Sequence, residues 1–299
     1  MTQKKKARTS TFSIIAHDPH MQEWGVAVQS KFLAAAAVVP WARAGVGAVA
    51  TQAMANMGYG PEGLDMLAQG KSASDVIAHL TDHDEDAQHR QVAAIDARGE
   101  AAAFTGEGCL DWAGHISGDG YSCQGNILAG PDVVKNMAAD FERSSGPLAD
   151  RLVSAMRAGQ AAGGDRRGQQ SAGLLVVREG GSYGGYLDRY IDLRVDDHTE
   201  PIEELARLLE LFYLYFKRPD PGSLLPIEGD VAGEVLAHLS TLGFDVDPQA
   251  KFDENAQRAL DRWVGQENFE ERMPGPGVID PEVLGYLNLQ AKDKSSEQG

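Results

Sequence analysis

A threonine attacks an amide carbonyl only when a base takes the proton from its hydroxyl. The α-amine of the same residue can do this, because its pKa of roughly 7.7–8.0 leaves a neutral fraction near pH 7. Thr11 is the residue placed for such chemistry. It opens TFSIIAH (11–17), which reads as a strand, ahead of a second strand EWGVAVQSK (23–31). If the turn-rich segment 18–22 closes a simple hairpin, His17 pairs near Glu23 and either Gln29 or Lys31 comes opposite Thr11. Ser30 takes that place after a one-residue shift. An ammonium from Lys31 beside the amine would lower its pKa and stabilise developing negative charge. The mechanism needs Thr11 as first residue, so the Ser10–Thr11 bond must be cut or translation must start near it.

Other side chains could complete such a site. Gln52 in Thr51-Gln52-Ala53, Asn56, and Asn126 in QGN could supply oxyanion donors, and Asp165 and Ser171 in GGDRRGQQS could orient the amine. Local backbone capping is the competing use of each. Arg43, on the segment after the first hairpin, is either a site cation or a surface arginine. Three further groups read as structural. His79 and His83 have i, i+4 spacing without an HExxH pattern, so no metal is expected. Asp192, Asp196, Asp197 and His198 read as caps ahead of the next helix. Cys109 and Cys123, with His115 between them, read as free thiols rather than a nucleophile pair.

These residues must be held by the elements of a 299-residue chain, long enough for one large domain or two. Its 44 Asp and Glu against 27 Lys and Arg give −17, which argues against a nucleic-acid partner. No run approaches the ~18 apolar residues of a membrane span, and no secretory apolar stretch follows the basic start. Two cysteines exclude a disulfide scaffold and a Cys-based zinc module. The expected compartment is the cytoplasm.

Residues 1–10 hold four basic and no acidic residues and read as a flexible extension. The 11–218 body alternates strands with pairs of helices. Ser72 with Asp75 reads as a capping box, RQVAAIDARGEAAAFTG as a hairpin turning near Arg98-Gly99, and 131–141, 147–159 and 201–216 as helices. Hairpins outnumber βαβ crossovers, so antiparallel sheets covered by helices fit better than a Rossmann sheet. AGQAAGGDRRG lacks both phosphate-loop spacings. The prolines and glycine of 219–225 read as a linker. Residues 226–290 carry three helix-like segments with Trp263 and Phe269 in the core, and 291–299 reads as a disordered tail.

The blocks TFSIIAHDP, EWGVAVQSKFLA, VVPWARAGVGAVATQA, YGPEGLDML, QGNILAGPDVV, AGQAAGGDRRGQQSAGLLVV and YIDLRVDDH occur in an order that resembles the bacterial domain-of-unknown-function family 1028 over roughly 11–217. That resemblance implies an N-terminal-nucleophile hydrolase fold: α+β, a four-layer αββα sandwich of two antiparallel sheets. It also implies amide cleavage by an exposed N-terminal Thr, Ser or Cys, and a basic residue such as Arg43 near the nucleophile. In that family the motif follows the initiator Met directly, whereas here ten residues precede Thr11. LAHLSTLGF, FDENAQRALDRWVGQENFEERM and IDPEVLGYLNLQ resemble a peptidoglycan-binding domain, which makes the last part a small all-α domain.

The expected function is an amide hydrolase with catalytic Thr11, Ser30, Lys31, Arg43, Asn126 and Asp165, and with Gln52, Asn56 and Ser171 on oxyanion or substrate. No cofactor is expected. The expected partners are a small-molecule or peptide-like substrate, a peptidoglycan fragment and further copies of the chain as a homo-oligomer. A non-catalytic binding or scaffold protein on the same fold is the alternative.

Overall fold

The computed structural model describes residues 11–297, so the 1–10 extension lies outside the described residues. The chain divides into two compact units between Leu209 and Glu210.

The first unit runs β1 (Thr11–Asp18), β2 (Glu23–Ser30), β3 (Pro40–Arg43), β4 (Gly47–Ala53), α1 (Tyr59–Ala68), α2 (Ala73–Asp82), β5 (Arg90–Asp96) and β6 (Ala101–Thr105). It continues with β7 (Gly114–Gly118), β8 (Tyr121–Asn126), α3 (Asp132–Arg143), α4 (Leu148–Ala161), β9 (Ser171–Val177), β10 (Arg189–Val195) and the start of α5 (Pro201–Phe216). Two sheets form, in the orders β10-β9-β2-β1-β8-β7 and β3-β4-β5-β6, and every pairing is antiparallel. Period-two alternation decides what each face meets. Ile15, Trp24, Val26 and Val28 of the larger sheet pack on Ala48, Ala50, Ala93 and Ile95 of the smaller. The opposite faces bury Val49, Val92 and Ala94 under Leu64, Leu67, Val76 and Leu80 of α1 and α2. On the other side α3 and α4 lie on β1, β2 and β8. Gly25 has no room for a side chain there, since a Cβ would sit 2.5 Å from Leu152. The result is the expected α+β sandwich in the layer order αββα.

The first hairpin differs from expectation by one residue. Asp18 pairs with Glu23, leaving a four-residue loop, and Thr11 therefore faces Ser30 rather than Gln29 or Lys31. The cause is Asp18, whose Oδ1 accepts the His20 and Met21 N–H groups and so closes the turn one residue later than a loop starting at 18 would. Residues 35–37 form a 3-10 turn, and β3 begins only at Pro40.

The second unit holds the end of α5, β11 (Leu225–Pro226), α6 (Gly229–Leu242), α7 (Glu254–Glu267), β12 (Val278–Ile279) and α8 (Pro281–Glu297). Its core gathers Val235, Leu239, Leu260, Trp263, Phe269, Ile279 and Leu287, with Leu214 and Tyr215 packed against it. Two boundaries move. The unit starts at Glu210, before the 219–225 linker, because the last turns of α5 bury an aromatic face on Phe269. Residues 291–297 extend α8 where a disordered tail is expected.

Candidate active site

β1 lies between β2 and β8, so Thr11 has Ser30 on one side and Asn126 on the other. Thr11 is 1% exposed, and its Oγ1 donates to Ser30 Oγ at 3.2 Å. Alternation carries the intersheet face of β1 through Ile15, Ser13 and Thr11, from apolar to polar. The other strands change in the same direction. On the same intersheet phase β4 runs Ala48, Ala50, Gln52, β5 runs from Gln91 to Ala93 and Ile95, and β8 runs Ser122, Gln124, Asn126.

These side chains form one hydrogen-bonded network between the sheets. Gln52 Nε2 lies 3.5 Å from the Thr11 carbonyl and donates to Gln91 Oε1 at 2.8 Å. Asn126 Nδ2 donates to the same Gln91 oxygen at 3.2 Å. Gln91 Nε2 reaches Thr105 Oγ1, the Gly114 carbonyl and the Gly125 carbonyl at 2.9, 3.1 and 2.9 Å. Ser13 donates to Gln52 Oε1 and accepts from Gln124 Nε2, both at 2.7 Å. All of Ser13, Gln52, Gln91, Gln124 and Asn126 are buried. The network therefore holds two carboxamides, those of Gln52 and Asn126, beside a buried hydroxyl with no ionised group among its members. Buried polar groups that are fully paired are held rigidly.

A cavity of ≈ 20 Å³, room for one water, opens on the Asn126 side between Ala53, His89, Cys109 and Ile127. Ala53 and Ile127, which follow the last strand residues of β4 and β8 facing Thr11's neighbours, both have left-handed backbone, φ 66° and 53°. For a non-glycine residue that conformation is uncommon, most of all for β-branched Ile127, and such strain concentrates at functional sites.

Several candidates lie elsewhere. Arg43 pairs in register with Gly47, which faces Asp96, so it sits at the opposite end of the sheets from Gln52 and Thr11. There it meets Asp65 at 2.9 Å in the open. Asn56 turns to a separate cluster: its Oδ1 accepts from Gly58 N–H and its Nδ2 lies 3.4 Å from Asp84, which also holds Tyr59 and Arg90. Arg90 holds the Asp84 carboxyl well below the usual carboxylate range. Ser171 pairs with Ser30 in register, but its hydroxyl donates to the Phe32 carbonyl and accepts from Ala35 N–H, fixing the 31–35 turn.

Asp165 and Lys31 are at the site's edge. Asp165 accepts the Lys31 backbone N–H at 2.8 Å and is clasped by the Arg167 guanidinium at 3.1 Å. Lys31 Nζ donates to the Gln169 carbonyl at 3.0 Å. Burial raises the pKa of both the Cys109 and Cys123 thiols, which disfavours a thiolate at either, and His115 Nδ1 contacts Thr105 Oγ1 instead of a sulfur. The His79 and His83 rings pack at a tilt with centroids 4.4 Å apart, and His79 meets Glu62. Residue types alone had not singled out Gln91, Ser13 or Gln124. Their signal is positional: each falls on the alternation phase of Ile95, Ile15 or Asn126, which marks it as buried once the two sheets are known to face each other.

The profile of a family described as "Family of unknown function (DUF1028)" matches residues 11–205. The chain belongs to DUF1028. A second profile, described as "Putative peptidoglycan binding domain", matches 215–287. The crystal structure of protein SPO2555 from Silicibacter pomeroyi, itself a DUF1028 protein, superposes with a TM-score of 0.62 at 30% identity, covering 75% of this chain and 92% of that one. No curated protein matches. Among the described residues no helix is long and apolar enough to cross a membrane.

Proposed function

We propose that this DUF1028 protein is an amide hydrolase whose nucleophile is Thr11 once its α-amine is free. The observation that carries the reading is the setting of the Thr11 hydroxyl: buried at a central strand end, on Ser30, beside the Gln52 and Asn126 carboxamides. In the uncut chain the Thr11 nitrogen is an amide and cannot act as a base. With Ser10–Thr11 cut, the amine takes the Oγ1 proton as Oγ1 bonds to the substrate carbonyl carbon. The oxyanion so formed is stabilised by carboxamide N–H groups. Collapse breaks the C–N bond, and the leaving amine takes the proton from the Thr11 ammonium. Water then adds to the ester with the same amine as base, releasing the acid. The proposed substrate is a small amide or peptide-like molecule. The second unit, by its family description, is proposed to hold a peptidoglycan fragment. Two free cysteines suit a reducing compartment such as the cytoplasm.

The test uses a chain beginning Met–Thr11, whose Met is removed ahead of the small threonine, together with the intact mass of the full-length product. A β-lactone probe is expected to leave one hydroxylamine-labile ester on Thr11. Thr11→Ser retains that ester and Thr11→Ala lacks it, with a loss of turnover on the order of 10⁶ on any amide the parent cleaves. No ester on the parent, or an equal one on Thr11→Ala, overturns the reading in favour of a binding or scaffold protein.

A further inference from the structure

The loop 162–170 crosses the end of β1. At one side Asp165 forms a bridge with Leu128, and Arg166 N–H donates to the Ile127 carbonyl at 3.1 Å, just past Asn126. At the other, Asp165 takes the Lys31 N–H, and Gln170 N–H donates to the Ser30 carbonyl at 3.1 Å. Asn126 and Ser30 are the two register partners of Thr11. The loop therefore spans from the strand on one side of Thr11 to the strand on the other, and it does so in a fixed shape. Gly163, Gly164 and Gly168 take φ of 109°, 52° and 104°, and Asp165 is 2% exposed with both oxygens bonded.

Charge on this loop is unbalanced. Asp165 neutralises Arg167, in a contact using Nε and Nη2. That leaves two cations flanking the strand end. Arg166 is exposed and its guanidinium has no partner among the described residues. Lys31 uses one of three ammonium donors, on Gln169. Asp197, on the strand β10 side of the loop, accepts from Gln170 Nε2. A chain of net −17 that keeps an unpaired guanidinium and an ammonium on either side of a buried nucleophile is built to attract an anion there. Guanidinium matches a carboxylate in planarity and donor spacing.

We propose that the site selects amide substrates bearing a carboxylate, held by Arg166 and Lys31 on the two sides of Thr11. The substrate class rests on the hydrolase reading above; the anion site itself does not. The site is tested by titrating N-acetylglycine, N-acetylglycinamide and inorganic phosphate into the full chain and into the chain beginning at Thr11, following backbone amide resonances of 162–170. The acid is expected to bind at least tenfold more tightly than the neutral amide and more tightly than phosphate, and to weaken as salt rises. Arg166→Gln and Lys31→Gln each weaken the acid about fivefold or more and leave the amide unchanged, while Arg166→Lys restores part of the loss; thermal melts confirm that these exposed substitutions fold. Equal binding of acid and amide, tighter binding of amide or phosphate, no binding in either form, or indifference to both Gln variants overturns the proposal. Thr11→Ala binds the acid as the parent does. If the β-lactone leaves no ester on Thr11 yet the acid still binds through Arg166, the hydrolase reading falls and the anion site stands.

Discussion

Gln91 has one side-chain oxygen taking protons from two carboxamides and one nitrogen within reach of three acceptors on β6, β7 and β8. Leucine has nearly the same volume and none of these bonds. Gln91→Leu therefore strands the Gln52 and Asn126 N–H groups in a water-poor layer. Each such group costs about 1–3 kcal/mol when left unpaired, so a destabilisation of about 3 kcal/mol or more is expected in denaturant titration. Gln91→Glu keeps an acceptor for both carboxamides but loses the donors and introduces a buried charge, so it is expected to be no milder. If either variant is as stable as the parent, the carboxamides beside Thr11 are not held by this residue. Gln91 thus contributes to the site by fixing the carboxamides of Gln52, which lies against the Thr11 carbonyl, and of Asn126, the register partner of Thr11.

At the scale of elements, helix ends illustrate how local chemistry sets a boundary. Ser72 accepts the Asp75 N–H at 3.1 Å, and Asp75 accepts the Ser72 N–H in return, which closes the expected capping box at the start of α2. Ser72→Ala is expected to lower stability by about 1 kcal/mol, read as a lower melting temperature. Because α2 covers the outer face of the smaller sheet, on the side away from Thr11, the proposed acylation of Thr11 should be unchanged. A loss of acylation alongside the lower melting temperature would mean that α2 has a part in the site. The strand ends behave differently: Ala53 and Ile127 turn left-handed immediately beyond the residues beside Thr11, and no cap or glycine in the sequence marks those turns.

For the molecule as a whole, one consequence concerns acid and another the second unit. His17 stacks on Trp24 and burial lowers its pKa, as it does for His115. Above about pH 6.5 both folded and unfolded chains carry these imidazoles neutral. As pH falls through that value the unfolded chain binds the protons first, so stability is lost from about 6.5 downward until the folded pKa values are reached. Asp84, held low by Arg90, adds a second loss below about 3.9. Glu23, raised by burial, works the other way and gains stability as pH drops through its own range. His17→Phe keeps the stacking and is expected to flatten the stability slope below about pH 6.5; an unchanged slope would remove His17 from this account. In the second unit Arg272 donates to the Tyr213 and Leu214 carbonyls, and Tyr215 stacks on Phe269 with centroids 5.3 Å apart. A fragment spanning 210–299 is therefore expected to melt above one spanning 219–299, by the equivalent of about 2–4 kcal/mol. Equal melting would return the domain start to the linker.

What the sequence determined by itself is whatever depends on neighbours in the chain. Alternation in β1 and β2, the capping box at Ser72, the helix of 201–216 and the separateness of a helical C-terminal part are all properties of short segments, and short segments carry their own turn and burial chemistry. The resemblance to DUF1028 then supplied the layer order. The tertiary structure decided the rest. Arg43 and Gln52 are nine residues apart on one hairpin, yet they stand at opposite ends of it, because β4 is extended and its ends are separated by its full length. Whether Gln29, Ser30 or Lys31 faces Thr11 turned on one aspartate closing the hairpin, a single-residue slip that reverses every side chain. The grouping of Gln52, Gln91 and Asn126 around Thr11 required four strands from two sheets to be brought face to face, and no periodicity within one strand records which polar residue of another will meet it.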